Sequence, residues 1–267
     1  MTATMDGRVA LVTGGLRGIG FAAARALVAR GAKVWLADLK DSDDPAVADA
    51  LSSLSGSAYV QLDVTQEAAW QDAIAQIDKA DGRLDVLVNN AGIDGTGRVQ
   101  DLSLDKWRRV QAVNSDAAFL GTKHAYALLE ASGKDRKGGS SIVNVSSIMG
   151  LVTFPDSSAY CASKGAIRQF SKACAVEFAA HGVPIRANSI HPGFVQTPLL
   201  DEGFDAMVAR GQAQKAEDLK NLVSSSTPVG RLATAQEIGD AIAFLASEES
   251  SYMTGSEMVV DGGYVAR

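Results

Sequence analysis

The stretch SSIMGLVTFPDSSAYCASK, Ser146 to Lys164, sets a tyrosine and a lysine four residues apart with two serines upstream. On a helix, positions i and i+4 share a face, so Tyr160 and Lys164 would stand side by side. A phenol with an ordinary pKa near 10 is a poor base at neutral pH, and a neighbouring ammonium should lower that value by stabilising the phenolate. A serine hydroxyl nearby could donate or accept a hydrogen bond beside them. A phenol, an ammonium and a hydroxyl held together suit proton exchange. Taken alone, the same spacing also fits an amphipathic helix with an ordinary exposed tyrosine and lysine, so the surrounding elements decide.

A second chemical feature lies near the N-terminus. The run RVALVT leads into TGGLRGIG, Thr13 to Gly20. Gly14, Gly18 and Gly20, with Arg17 and Ile19 between them, fall where a chain turning from strand to helix must let a pyrophosphate approach its backbone. The helix N-terminus would then face the phosphates. KVWLADLK ends a second strand at Asp38 and Leu39, about 20 residues on, where a carboxylate accepts hydrogen bonds from ribose hydroxyls; a helix N-cap is the other use for Asp38. The carboxylate would repel a 2′-phosphate, which favours NAD over NADP. Arg17 pulls the other way, since a guanidinium there could greet that phosphate. Asp63 and Val64 end a third strand, where Asp63 could bond an adenine amino group or cap the helix starting near Gln66. In VNNAG, Asn89 and Asn90 can tie strand ends together while Ala91 and Gly92 let a cofactor approach.

The elements that must position these residues alternate along the chain. RVALVT, KVWLAD, AYVQLD, LDVLVN, SIVNVS, IRANSIHP and EMVVD are separated by segments with helical apolar spacing. Such alternation predicts an α/β, three-layer, doubly wound parallel sheet with right-handed crossovers. At 267 residues and 46% hydrophobic content, we expect a single domain over residues 1–267. Residues 198–228 are the one long, weakly patterned insertion, expected as a substrate lid, with a solvated helical excursion as the alternative. A net charge of −6 argues against a nucleic-acid partner. No run nears the roughly 18 apolar residues of a membrane span and no leader pattern opens the chain, so no membrane partner and a cytoplasmic address are expected. Cys161 and Cys174 fall on one predicted helix without a redox role. His124, His181 and His191 form no ligand set, so no metal is expected.

The glycine turn, Asp38, NNAG, Asn114 in VQAVN, the serine, YCASK and HPGFVQTP occur in the order and spacing of the short-chain dehydrogenase/reductase family, which the chain resembles over nearly its whole length. The resemblance implies one Rossmann-type domain, usually assembled as a homotetramer or homodimer, that exchanges a hydride with a nicotinamide cofactor. It implies Ser147, thirteen residues before Tyr160, as the donor, and leaves Ser146 structural. Asn114 matches the asparagine whose backbone carbonyl holds a water leading to Lys164; a core amide kinking the helix is the alternative. Tyr160 and Lys164 also border the nicotinamide ribose, where the charge of the oxidised nicotinamide is expected to join that of Lys164 in lowering the phenol pKa. Pro192 and Gly193 shape the turn beside the nicotinamide, Val195 touches the carboxamide and Thr197 reaches a phosphate. His191 is expected as framework.

The resulting expectation is an NAD-dependent alcohol dehydrogenase/ketone reductase. The pocket should draw on Ile93, Asp94, Gly150 to Phe154, Phe194, Leu199, Phe204 and Met207, a mostly apolar set suited to a hydrophobic secondary alcohol or ketone, aryl, alicyclic or steroid-like. Asp94 could instead select a polar or cationic substituent, and Arg98 or Arg210 could approach. Two alternatives stand: an NADP-dependent biosynthetic ketoreductase, which Leu39 in place of a basic residue disfavours, and a catalytically silent dinucleotide-binding regulator.

Overall fold

Alternation along the first strand, β1 (Val9–Thr13), divides its side chains between two cores. Ala10 and Val12 join Leu27 of α1 (Gly18–Ala29) and Ile238 and Ile242 of α9 (Ala235–Ala246). Val9 and Leu11 join Trp70 and Ile77 of α3 (Glu67–Asp81), Leu129 of α5 (Ala117–Gly133) and Phe178 of α6 (Ser158–Ala180) on the opposite face. A period of two in the strand thus meets a helix layer on each side. Each fully buried Leu or Ile contributes roughly 1.5–3 kcal/mol, which locks the strands in register.

The computed structural model describes residues 4–266. The main sheet has seven parallel strands in the order β3-β2-β1-β4-β5-β6-β9. Its other members are β2 (Lys33–Asp38), β3 (Ala58–Gln61), β4 (Val86–Asn89), β5 (Ser140–Val145), β6 (Ile185–Pro192) and β9 (Glu257–Val260). All seven expected strand segments are present. A two-residue pair, β7 (Val195–Gln196) with β8 (Ala233–Thr234), was not expected. The remaining helices are α2 (Pro45–Ser53), α4 (Leu104–Gln111), α7 (Pro198–Ala209) and α8 (Ala216–Ser226).

Strand order reverses at β1, which pairs with both β2 and β4. The crevice for a ligand in such a sheet lies beyond the carboxyl ends of those strands, where the glycine turn and NNAG both sit. Residues 198–228, weakly patterned in sequence, fold into α7 and α8; Thr197 caps α7 by accepting a hydrogen bond from the Leu200 N–H, and Pro198 occupies the first helical turn. Among the described residues, no helix is long and apolar enough to cross a membrane. No group of three His, Cys, Asp or Glu side chains stands ready for a metal among them. Cys161 and Cys174 both lie on α6 and are unpaired.

Candidate active site

The glycine turn makes a cradle. Gly14 and Gly18 have φ of 61° and 57°, a left-handed backbone that side chains disfavour. A Cβ on Gly20 would lie 2.2 Å from the Gly14 carbonyl oxygen, so the turn closes only without one. Arg17 is the N-cap of α1, yet no side chain caps that end and no acidic residue occupies its first turn. The first-turn N–H groups are therefore available to an anion, as a dinucleotide pyrophosphate requires. Ile19 packs against the core beneath.

Asp38 is held by this turn. Its carboxylate accepts from the Leu16 N–H at 3.4 Å and the Leu39 N–H at 2.9 Å. It caps no helix, so that alternative falls away. Leu39 is more than half exposed. The Arg17 guanidinium points to the insertion, donating to Glu202 of α7 at 2.7 Å. Asp63 does not cap α3 as one alternative had it: its carboxylate accepts from the Thr65 N–H and hydroxyl in a local turn, and Gln66 begins the helix without a side-chain bond. Val64 is buried, and its carbonyl accepts from the Trp70 indole N–H. Asn90 donates to the Thr13 carbonyl at 2.8 Å, tying the ends of β4 and β1, while Asn89 donates to Asn144 of β5. The Ala91 N–H is accepted by the Thr13 hydroxyl.

Tyr160 and Lys164 occupy the first turns of α6. Lys164 is 3% exposed, and its Nζ lies 5.5 Å from the Tyr160 ring centroid and donates to the Val145 carbonyl at 2.9 Å. Ser147 follows β5 and caps a 3₁₀ turn, Ile148–Gly150, through the Met149 N–H. Its hydroxyl is also near enough to the Tyr160 phenol to favour the phenolate. Ser146 donates instead to the Lys164 carbonyl at 2.8 Å, fastening α6 to the end of β5.

Asn114 lies in a single π-helical turn, Ala112–Asp116, between α4 and α5. Its amide donates to the Ile93 carbonyl and the Ser163 hydroxyl and accepts from the Ile93 N–H. Asn114 thereby joins the loop after β4 to α6 beside Lys164. Gly92 lies between them: a Cβ there would stand 3.4 Å from the Asn114 Oδ1 and 3.5 Å from the Lys164 Nζ.

Electrostatics add a cause that the sequence spacing does not show. Burial pushes the Tyr160 phenol above its ordinary value, Asp94 pushes the same way, and the Ser147 hydrogen bond opposes them. Burial of the ring disfavours its anion, and the expected lowering rests on the charge of an oxidised nicotinamide as well as on the ammonium. Burial pushes Lys164 down to about 8.

The turn after β6 completes the site's rim. Pro192 ends β6 against Val260, and a Cβ on Gly193 would meet the Asp261 Cα at 2.8 Å. Val195 is buried in β7, and the Thr197 methyl lies 3.5 Å from the space a Gly18 side chain would enter. Beside the rim, Phe154, Phe194 and Tyr264 form an aromatic cluster with centroids 5.3–5.9 Å apart. Leu199 and Met207 are half-buried and Phe204 is buried. A cavity of about 540 Å³, lined by Arg98, Phe154, Ser158 and Cys161, borders the first turn of α6, but Ser147, Tyr160 and Lys164 do not line it. Glu202, the π turn and the place of Tyr264 in the aromatic cluster were not foreseen.

The family model described as Enoyl-(Acyl carrier protein) reductase matches residues 14–265. The chain is similar to a cyclopentanol dehydrogenase of Comamonas testosteroni, 43% identical with 98% of each chain covered. It is 41% identical to a 3-alpha-(or 20-beta)-hydroxysteroid dehydrogenase of Mycobacterium tuberculosis, covering 100% of this chain and 92% of that one. A NADP-dependent (R)-specific alcohol dehydrogenase of Lentilactobacillus kefiri is 36% identical with both chains fully covered. A solved short-chain type dehydrogenase/reductase from Mycobacterium marinum superposes with a TM-score of 0.86 at 32% identity, covering 98% of this chain and 97% of that one. Cradle, sheet order and relatives agree: the chain belongs to the short-chain dehydrogenase/reductase family.

Proposed function

We propose that this oxidoreductase, which acts on alcohols as its relatives do, interconverts a hydrophobic secondary alcohol and its ketone with NAD(H). The observation that carries the proposal is Tyr160 with the Lys164 ammonium 5.5 Å from its ring and the Ser147 hydroxyl favouring its phenolate, in a fold whose glycine turn leads into an uncapped helix end. Bound in that cradle, the dinucleotide supplies the hydride acceptor or donor.

The chain's own residues do the rest. Ser147 bonds the substrate oxygen, and Tyr160 takes its proton in oxidation or returns it in reduction. With a pKa of about 8, Lys164 is still an ammonium at neutral pH and is the positive charge this chain offers the phenolate. Asn114 holds the loop after β4 against α6. Gly14, Gly18, Gly20, Asn90, Ala91 and Gly92 leave room for the cofactor backbone, and Asp38 bonds the adenosine ribose.

Support for NAD comes from Asp38 at the glycine turn and from Glu202, which already engages Arg17. NADP use is the second reading, favoured by Arg17 and by the NADP-dependent relative. Support for a hydrophobic substrate comes from the Phe154–Phe194–Tyr264 cluster and from relatives named for cyclopentanol and hydroxysteroids. Residues 198–228 serve as the lid. A homo-oligomer belongs to the same proposal, consistent with Phe119 and Val176 exposed on α5 and α6, and light scattering checks it.

Absorbance at the reduced-nicotinamide band, with NAD or NADP and a panel of alicyclic, aryl and steroid alcohols, tests the function. Turnover preferring NAD and apolar rings is expected. Binding of NADH with no turnover of any alcohol or ketone would shift the case to a silent dinucleotide-binding protein.

A further inference from the structure

His191 is fully buried near the end of β6, and no step above uses it. Its Nδ1 lies 2.9 Å from the Ser147 carbonyl oxygen, and its Nε2 lies 2.9 Å from the Ser189 Oγ. A carbonyl oxygen only accepts, so Nδ1 carries a proton. Burial holds the imidazole below its ordinary pKa, so at neutral pH the ring is uncharged and Nε2 accepts from the Ser189 hydroxyl. One tautomer satisfies both contacts.

Those contacts fall on the segment that carries the proton-exchange chemistry. The Ser146 N–H bonds the Ile190 carbonyl at 2.8 Å, closing the β5–β6 ladder, and Ser147 is the next residue. Past the ladder, its carbonyl is held by the Gly150 N–H at 2.9 Å and by His191 across from β6. The Ser147 Oγ is turned by the Met149 N–H. Without the imidazole, the Ser147 peptide would lose its only side-chain tether to the neighbouring strand and could rotate, taking the hydroxyl off the line to Tyr160.

We infer that His191 is a positioning residue for Ser147: as the Nδ1–H tautomer, braced by Ser189, it fixes the serine peptide so that the hydroxyl meets Tyr160 and the substrate oxygen. The inference rests on the Ser147 role proposed above.

Two substitutions separate positioning from general support. In His191→Asn the amide nitrogen takes the place of Nδ1 and keeps the Ser147 contact; in His191→Gln the end group reaches the place of Nε2 and keeps the Ser189 contact. We expect kcat within about threefold of wild type for His191→Asn and a fall of about tenfold or more for His191→Gln, because small misplacements of a reacting group are costly. Alcohol KM, NADH affinity and melting temperature should differ little between the two. Equal kcat in the two variants, or a loss that follows melting temperature or NADH affinity, overturns the inference. The unmodified protein offers an independent check: with three histidines in the chain, nitrogen-15 spectra should show one neutral ring protonated at Nδ1. An Nε2–H tautomer at His191 would also overturn it. Ser147→Ala run alongside keeps the failures apart. If Ser147→Ala stays active, the serine role fails; if it is inactive while both His191 variants match wild type, only the positioning role fails.

Discussion

Lys164 Nζ stands 5.5 Å from the centroid of the Tyr160 ring and gives its hydrogen bond to the Val145 carbonyl at 2.9 Å. The ammonium is thus anchored to the sheet and sits beside the ring instead of bonding the phenol. Burial has opposite consequences for the two groups, raising Tyr160 and lowering Lys164 to about 8. Each bears on pH.

Lys164 makes folding stability pH-dependent. Between about 8 and the ordinary 10.5, the unfolded chain binds a proton that the folded chain has released. Stability from this group therefore rises with pH through that window, and the ammonium's full burial penalty is present below it. Denaturation of wild type and Lys164→Met at pH 7.5 and 9.5 should show about 2 kcal/mol more gain for wild type across the interval. Identical gains in both proteins would contradict a desolvated ammonium at this position.

Asp94 raises the Tyr160 phenol, so it should hold back the phenolate needed for oxidation. In Asp94→Asn, the alkaline rise of kcat/KM for alcohol oxidation should move to lower pH. Its carboxylate also accepts from Thr96, and the amide oxygen of the variant can keep that contact. A rise that stays in place, or moves up, would remove Asp94 from the electrostatics of the site.

Much of this was legible locally. The seven strands follow from β-branched runs bounded by turn residues; Gly14, Gly18 and Gly20 fall where β1 turns into α1, and Asp38 ends β2. Contacts between distant segments were not legible. Arg17 meets Glu202, 185 residues away, and Ser147 meets His191, 44 away, so neither pairing leaves a period in the sequence. Burial of the Tyr160 phenol was not legible for a related reason: spacing reveals the neighbouring lysine, but burial depends on everything packed around the ring. The π turn at Asn114 has an ordinary helical pattern on either side and no sequence mark.

Cofactor choice should follow Asp38 first and Glu202 second. Asp38→Ala should raise the KM for NAD about tenfold or more, since hydrogen bonds to a charged group are lost, and should improve NADP use relative to NAD. Glu202→Gln, which releases Arg17, should improve NADP use by roughly twofold to fivefold, the scale of an exposed ion pair. Steady-state ratios of kcat/KM for the two cofactors measure both, and an unchanged ratio in Asp38→Ala would refute the NAD assignment.

Asp85 tests the scaffold apart from the chemistry. It is fully buried, accepting from the Val9 N–H, from Arg83 through two bonds and from Arg136. Asp85→Ala leaves those donors unpaired and should cost about 3–5 kcal/mol in chemical denaturation. A cost under about 1 kcal/mol would mean the cluster is solvated and weak.

The central claim is that Tyr160 exchanges the proton at the substrate oxygen. The most direct test compares wild type and Tyr160→Phe, measuring NADH binding by fluorescence and alcohol turnover by reduced-nicotinamide absorbance on the same samples. The expected result is near-unchanged NADH affinity with turnover reduced to background. Turnover within a few fold of wild type in Tyr160→Phe would contradict the claim and move the proton exchange to another group.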